Sequence, residues 1–260
     1  MHYRRLGHEA QAGLVLLHWL PLSSRMYADL MPALAARGLD VIAFDLLGYG
    51  RSDPRPDDWS MAHWADNLAE ALRCLREGPV TVVGGHSSSC VATELALRHP
   101  EQIARVVLDG CPFLTPALQA TFAAMRRAPR PRAETDGSHE TRVFRTVRTT
   151  YEHYLPGFEI NDETLERLWP AMIDYLETDF VSSAPISAEY DLSIRLPEIR
   201  QPLLLLGAET DTLADGFARA SALAPQAQRH FFTGDHPLHE SERARLWANV
   251  VGDFATGKHH

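Results

Sequence analysis

Short, continuous apolar runs alternate along the chain with longer segments whose apolar residues recur every three or four positions. The runs are Leu14 to Leu17, Val41 to Phe44, Val80 to Val83, Arg105 to Leu108, Leu203 to Leu206 and His230 to Phe232. Between them lie helical patterns. Ser23 or Ser24 caps a helix with an apolar face of Tyr27, Leu30, Met31 and Leu34, ended by Gly38. Ser60 caps a second, with a stripe of Trp64, Leu68, Leu72 and Leu75, stopped by Gly78 and Pro79. A third runs from about Cys90 to Arg98, before Pro100. Strands buried on both faces need runs without polar alternation, and helices between them supply the cover. The pattern predicts an α/β fold with a mostly parallel central sheet flanked by helices.

The strand-like runs stop between Phe113 and Leu196, where helical patterns at about 139–154 and 162–177 and an Arg/Pro stretch (Arg126, Arg127, Arg130, Arg132) take over. This divides the chain into a first part of the core, 1–112, a helical insertion, 113–196, and a second part of the core, 197–257, which ends in a helix at about 241–254. The terminal Lys258, His259 and His260 look like a tag remnant and are set aside.

Composition narrows the function classes. With 45% hydrophobic and 23% charged residues among 260, the chain has enough apolar matter for a sizeable core. A net charge of -9, from 34 acidic and 25 basic residues, opposes binding to nucleic acid or anionic lipid and favours a small, neutral or apolar ligand. Cys74, Cys90 and Cys111 are odd in number and share no C-x-x-C spacing, so a reducing, cytoplasmic setting is expected. The apolar stretch Ala12 to Leu22 is shorter than the ~20 residues that span a bilayer. Arg4 and Arg5 before it and Ala33-Leu34-Ala35 after it mimic a signal peptide, but Glu9, Arg25 and Asp29 interrupt the pattern.

The sharpest chemical signal is Val82-Val83-Gly84-Gly85-His86-Ser87-Ser88-Ser89, a strand, a tight turn and a helix start, with Ser87 expected at the apex. A serine hydroxyl is a weak nucleophile. It needs exposure on a sharp turn, a neighbouring base, and free N–H groups at a helix N-terminus facing the site of attack. With its flanking segments, this motif resembles the α/β-hydrolase family over nearly the whole chain. The segments are Leu17-His18-Trp19-Leu20-Pro21, Asp45 to Ser52, Gly85-His86-Ser87, Gly207 to Asp211 and Gly234-Asp235-His236, in that order.

The resemblance implies an α/β-hydrolase fold whose insertion forms a helical cap, with a Ser87, Asp211, His236 triad. His236 would act as general base, with Asp211 fixing its tautomer. Asp109 is the alternative acid, Glu209 lies in the same loop as Asp211, and His239 is the fallback base. The backbone N–H groups of Leu20 and Ser88 would form the oxyanion hole. His18 reads as a structural histidine and His86 as packing. Trp19, Phe113, Phe144, Tyr151 and Trp169 are candidates for the substrate pocket.

Three positions depart from the family pattern: Ser89 replaces a glycine, Leu47 a proline and Trp19 a glycine. An indole at position 19 is expected to crowd the acyl pocket or reshape the loop presenting the Leu20 N–H. No metal or other cofactor is expected, because Gly48-Tyr49-Gly50 lacks the third glycine of a dinucleotide fingerprint and His239-Glu240 does not complete H-E-x-x-H. The leading expectation is a serine hydrolase cleaving a small carboxylic ester or related acyl compound through an acyl-enzyme on Ser87. A lyase or cofactor-free rearrangement enzyme using the Ser87/His236 pair for proton transfer is one alternative, and a receptor-like protein with a vestigial triad is another.

Overall fold

The apolar runs become strands β2 (Ala12–Leu17), β3 (Leu39–Phe44), β4 (Val80–Gly85), β5 (Ile103–Asp109), β6 (Leu203–Ala208) and β7 (Gln228–Phe232). A further strand, β1 (Tyr3–Leu6), precedes them. The computed structural model describes residues 1–9, 11–124, 134–154, 159–177, 180–234 and 241–258. The seven strands form one sheet in the order β1-β3-β2-β4-β5-β6-β7. All neighbours are parallel except β1, which runs antiparallel to β3 at the edge. That edge position explains why β1 carries no apolar run: Tyr3 and Leu6 are exposed.

Alternate residues of β2 to β6 enter two apolar layers. Val15, Leu17, Ile42, Phe44, Val82, Val106 and Leu108 pack with Trp64, Leu68 and Leu72 of α2 (Met61–Leu75) and with Val91 and Leu95 of α3 (Ser87–Arg98). Leu14, Leu16, Val41, Val83, Val107 and Leu204 pack with Leu34 of α1 (Met31–Ala35) and with Trp247, Val251 and Phe254 of α10 (Ser241–Thr256). Each such aliphatic or aromatic side chain contributes roughly 1.5–3 kcal/mol by leaving water. The helix expected after Ser23 is divided. A 3-10 turn covers Ser24–Tyr27, and α1 starts only at Met31, because Pro32 suits a helix start and not its interior.

Between β5 and β6 the chain is helical, as the vanishing strand pattern predicts. α5 (Ser138–Tyr154) and α6 (Asp162–Glu177) match the expected segments, while α4 (Pro116–Ala124) and α7 (Phe180–Glu189) were not anticipated. The Arg126 to Arg132 stretch lies outside the described residues. Val147, Leu168, Ala171 and Met172 form a small apolar cluster against Leu22. Asp174 of α6 accepts from Ser23 Oγ at 2.9 Å and pairs with Arg25 Nε at 3.4 Å. α8 (Leu192–Arg195) and α9 (Ala214–Leu223) complete the flanking layers. Among the described residues, no helix is long and apolar enough to cross a membrane.

The topology positions the site. From β2 the chain first adds β3 on one side and then β4 on the other, so the carboxyl ends of β2 and β4 flank a topological switch point, where open α/β sheets bind ligands. The register pairs Leu17 with Gly84, Gly85 with Asp109 and Asp109 with Leu206. The segments that follow, beginning at His18, His86, Gly110 and Glu209, therefore emerge along one edge of the sheet.

Candidate active site

Strand β4 ends at Gly85 and α3 begins at Ser87, so a single residue, His86, makes the turn. Its backbone lies at φ 49° and ψ -126°. It is the only non-glycine residue with positive φ among those described. Such a conformation costs roughly 1–3 kcal/mol and persists where neighbours over-determine it. Here they do. His86 N donates to Asp109 O at 2.8 Å, and Ser89 N and Ser89 Oγ both donate to His86 O, at 2.9 and 2.6 Å. Ser88 Oγ accepts from Gly85 N at 2.9 Å and lies 2.9 Å from both Leu17 O and Gly85 O. Gly84 allows α3 this close, since a Cβ there would sit 2.4 Å from Ser88 O.

The expected apex is thus one residue too late: His86 holds that position, and Ser87 is the first residue of α3. Ser87 is half-buried, and its hydroxyl has no hydrogen-bond partner among the described residues. The cause is local. Gly85-His86-Ser87 satisfies the short G-x-S pattern, but the turn falls where strand pairing ends, giving the frame Gly84-x-His86-x-Ser88 with a small residue on each side. Two adjacent glycines and three adjacent serines make both frames readable in the sequence. Ser88, expected as an oxyanion donor, has a side chain that braces the turn.

Three contacts among the described residues bear on the orientation of the His86 ring. His86 Nε2 lies 2.9 Å from Asp211 Oδ2, and Asp211 Oδ1 accepts from Leu213 N at 2.7 Å. An ionised carboxylate only accepts, so Nε2 carries the proton and Nδ1 is the basic nitrogen. The indole of Trp19 stacks on the imidazole, with ring centroids 3.9 Å apart and planes 11° from parallel. On the Cδ2 edge stands Gly110, whose Cβ, if it had one, would be 2.8 Å from His86 Cδ2. His86, read from the sequence as packing, pairs with Asp211. Its side chain is 10% exposed and that of Asp211 2%.

His236, the expected base, lies outside the described residues, as does His239. Asp109 ends β5, buried, and accepts from Trp247 Nε1 at 2.8 Å. Glu209 accepts from Gly234 N, in the loop after β7, at 2.9 Å. His18 is structural as expected: Leu46 N donates to its Nε2 at 3.1 Å, so Nδ1 donates to Trp19 O at 3.0 Å. Burial pushes its pKa down to about 4, against the opposing effect of the bond to Trp19 O. Trp19 lies flat on His86 and over Gly85, where an added Cβ would meet Trp19 Nε1 at 2.0 Å. Of the expected pocket residues, Phe113 packs on the core beneath the guanidinium of Arg219, 4.6 Å from its ring. Phe144 joins the small cluster at Leu22, and Trp169 is 64% exposed. The Tyr151 side chain is outside the described set.

With this arrangement in view, the chain belongs to the α/β-hydrolase fold family, whose profile matches residues 14–242. It is 30% identical to a 2-hydroxymuconate semialdehyde hydrolase of Pseudomonas sp. (strain CF600) over 278 aligned residues, covering 95% of this chain and 88% of that protein. A haloalkane dehalogenase of Mycobacterium marinum is 34% identical over a shorter stretch, 42% of this chain and 37% of its own. Among solved structures, the enol-lactonase from Burkholderia xenovorans LB400 superposes with a TM-score of 0.76 at 22% identity, covering 98% of this chain and 96% of that one. These named relatives are hydrolases, and the solved structure supports the fold.

Proposed function

We propose that this protein hydrolyses a small, neutral or apolar carboxylic ester or related acyl compound, with His86 as general base and Asp211 orienting it. The observation that carries the reading is a histidine at the strand-to-helix turn, at φ 49° and ψ -126°, with Nε2 2.9 Å from a buried aspartate. Nε2–H donates to Asp211, and Nδ1 removes a proton from a water whose oxygen attacks the carbonyl carbon. The backbone N–H groups of Leu20 and of Ser87, the residue after the turn, receive the developing oxyanion. As the tetrahedral intermediate collapses, the imidazolium returns its proton to the leaving alkoxide. Acid and alcohol leave, and no acyl-enzyme forms. A positioned general base is worth about 10²–10⁴ in rate. The helices between β5 and β6, within 113–196, serve as a cap over this site, and the setting is cytoplasmic.

A second reading keeps the acyl-enzyme on Ser87 with His236 as base. It draws on the half-buried Ser87 hydroxyl at the N-terminus of α3. Intact mass after fluorophosphonate treatment, together with turnover of an ester and lactone panel, separates the two. The His86 reading expects no adduct on Ser87, near wild-type turnover in Ser87→Ala, and a loss of about 10² or more in His86→Ala. An adduct on Ser87 with loss of turnover in Ser87→Ala overturns it.

A further inference from the structure

We infer that Trp19 is a positioning residue that fixes the plane of the His86 imidazole, and that Gly85 provides the space the indole needs; this rests on the reading of His86 as base. The hydrogen bond at Nε2 tethers one atom of the ring and by itself does not set the tilt. The indole, 3.9 Å away and 11° from parallel, sets the tilt. Of the two ring orientations that share this plane, the Asp211 bond at Nε2 and the close approach of Gly110 to Cδ2 select one. Nδ1 is then held on the edge opposite Gly110.

The indole is placed with equal care. Trp19 O accepts from His18 Nδ1 at 3.0 Å and from Leu22 N at 2.7 Å, so the loop carrying it is tied on both sides. Trp19 is only 7% exposed, yet it belongs to none of the apolar clusters among the described residues. Its ring lies on His86 and over the backbone of Gly85. Gly85 is as specific as the tryptophan: a methyl group there would meet the indole at 2.0 Å, against a strand backbone that cannot retreat while paired to β5. The large residue at 19 and the absent side chain at 85 are therefore one device.

The test reads the ring itself and does not depend on turnover. The rate at which diethyl pyrocarbonate modifies His86, followed by peptide mass, is compared in wild type, Trp19→Leu, Trp19→Phe and Gly85→Ala. Loss of the stack in Trp19→Leu is expected to raise that rate about 2- to 12-fold, the worth of an aromatic pair. Trp19→Phe, which keeps a ring, is expected to stay close to wild type. Gly85→Ala should act like Trp19→Leu, and should have no effect when added to Trp19→Gly. In a second readout, His86→Gln changes the emission of wild type and leaves that of Trp19→Phe unchanged. A modification rate in Gly85→Ala equal to that of wild type overturns the inference, even if Trp19→Leu fails to fold. Altered rates in a protein that hydrolyses nothing leave the inference standing and reject the functional reading.

Discussion

His86 Nε2 and Asp211 Oδ2, 125 residues apart in sequence, meet at 2.9 Å and join the turn after β4 to the loop after β6. Leu213 N holds the other carboxylate oxygen at 2.7 Å, so Asp211 presents a fixed acceptor. Asp109, one strand nearer, spends Oδ2 on Trp247 instead.

The two aspartates should therefore separate by variant. Asp211→Asn is expected to cost about 10²–10⁴ in kcat on the active ester, because an amide no longer selects the productive tautomer of His86. Asp109→Asn is expected to keep far more activity and to lose about 1–3 kcal/mol of stability through its bond to the buried indole. Kinetics and urea unfolding of both variants check this. The assignment fails if Asp109→Asn is the less active of the two while both remain folded.

Stability should fall with pH in a window set by His18. Its folded pKa of about 4 lies below the ordinary 6.5, because burial disfavours the charged ring by more than the bond to Trp19 O favours it. The unfolded chain takes up the proton first. The contribution is thus complete above pH 6.5 and is lost as pH falls toward 4, on the order of 3 kcal/mol in total. Asp66 sits at about 2, held down by Arg98 and His99, so its loss belongs to a lower pH range. Asp174, raised by burial, acts in the opposite sense. Urea unfolding at several pH values should show a smaller decline in His18→Gln than in wild type between pH 6.5 and 4.

The turn at His86 should tolerate little at Gly84. Ala there would put Cβ 2.4 Å from Ser88 O and 2.8 Å from Ala92 Cβ, so Gly84→Ala should cost about 1–3 kcal/mol by forcing α3 off the sheet. Ser88→Ala should cost a similar amount, about 1–3 kcal/mol, by leaving the buried Gly85 N–H unpaired. Thermal unfolding measures both, and a Ser88→Ala protein as stable as wild type would refute the bracing role.

Most of the core was legible because strands buried on both faces must be uniformly apolar, as Leu14 to Leu17 and Leu203 to Leu206 are. β1 was hidden by its edge position, where Arg4 and Arg5 are held by the buried Ser24 and Asp40. α4 and α7 lack the stripe that revealed α2. At the site, Asp211 follows a buried strand and lies within hydrogen-bond distance of His86, while His236 is outside the described residues. The apex falls on His86 and not on Ser87, because the G-x-S pattern does not say where strand pairing ends. A one-residue shift in where β4 stops changes which side chain faces the site, and Gly85 was free to be read as either strand or turn. No property of position 19 alone indicates that its ring would lie on His86; that follows from Leu17 and Gly84 being register partners in adjacent strands.

The Ser88 hydroxyl has a consequence for how this protein could change. It ties Gly85 N to Leu17 O, while Ser89 and Asp109 hold the two backbone atoms of residue 86. None of these bonds uses the side chain at position 86. The scaffold of the turn and the chemistry it displays are thus separable, and one codon there can exchange the reactive group while the surrounding architecture stays assembled.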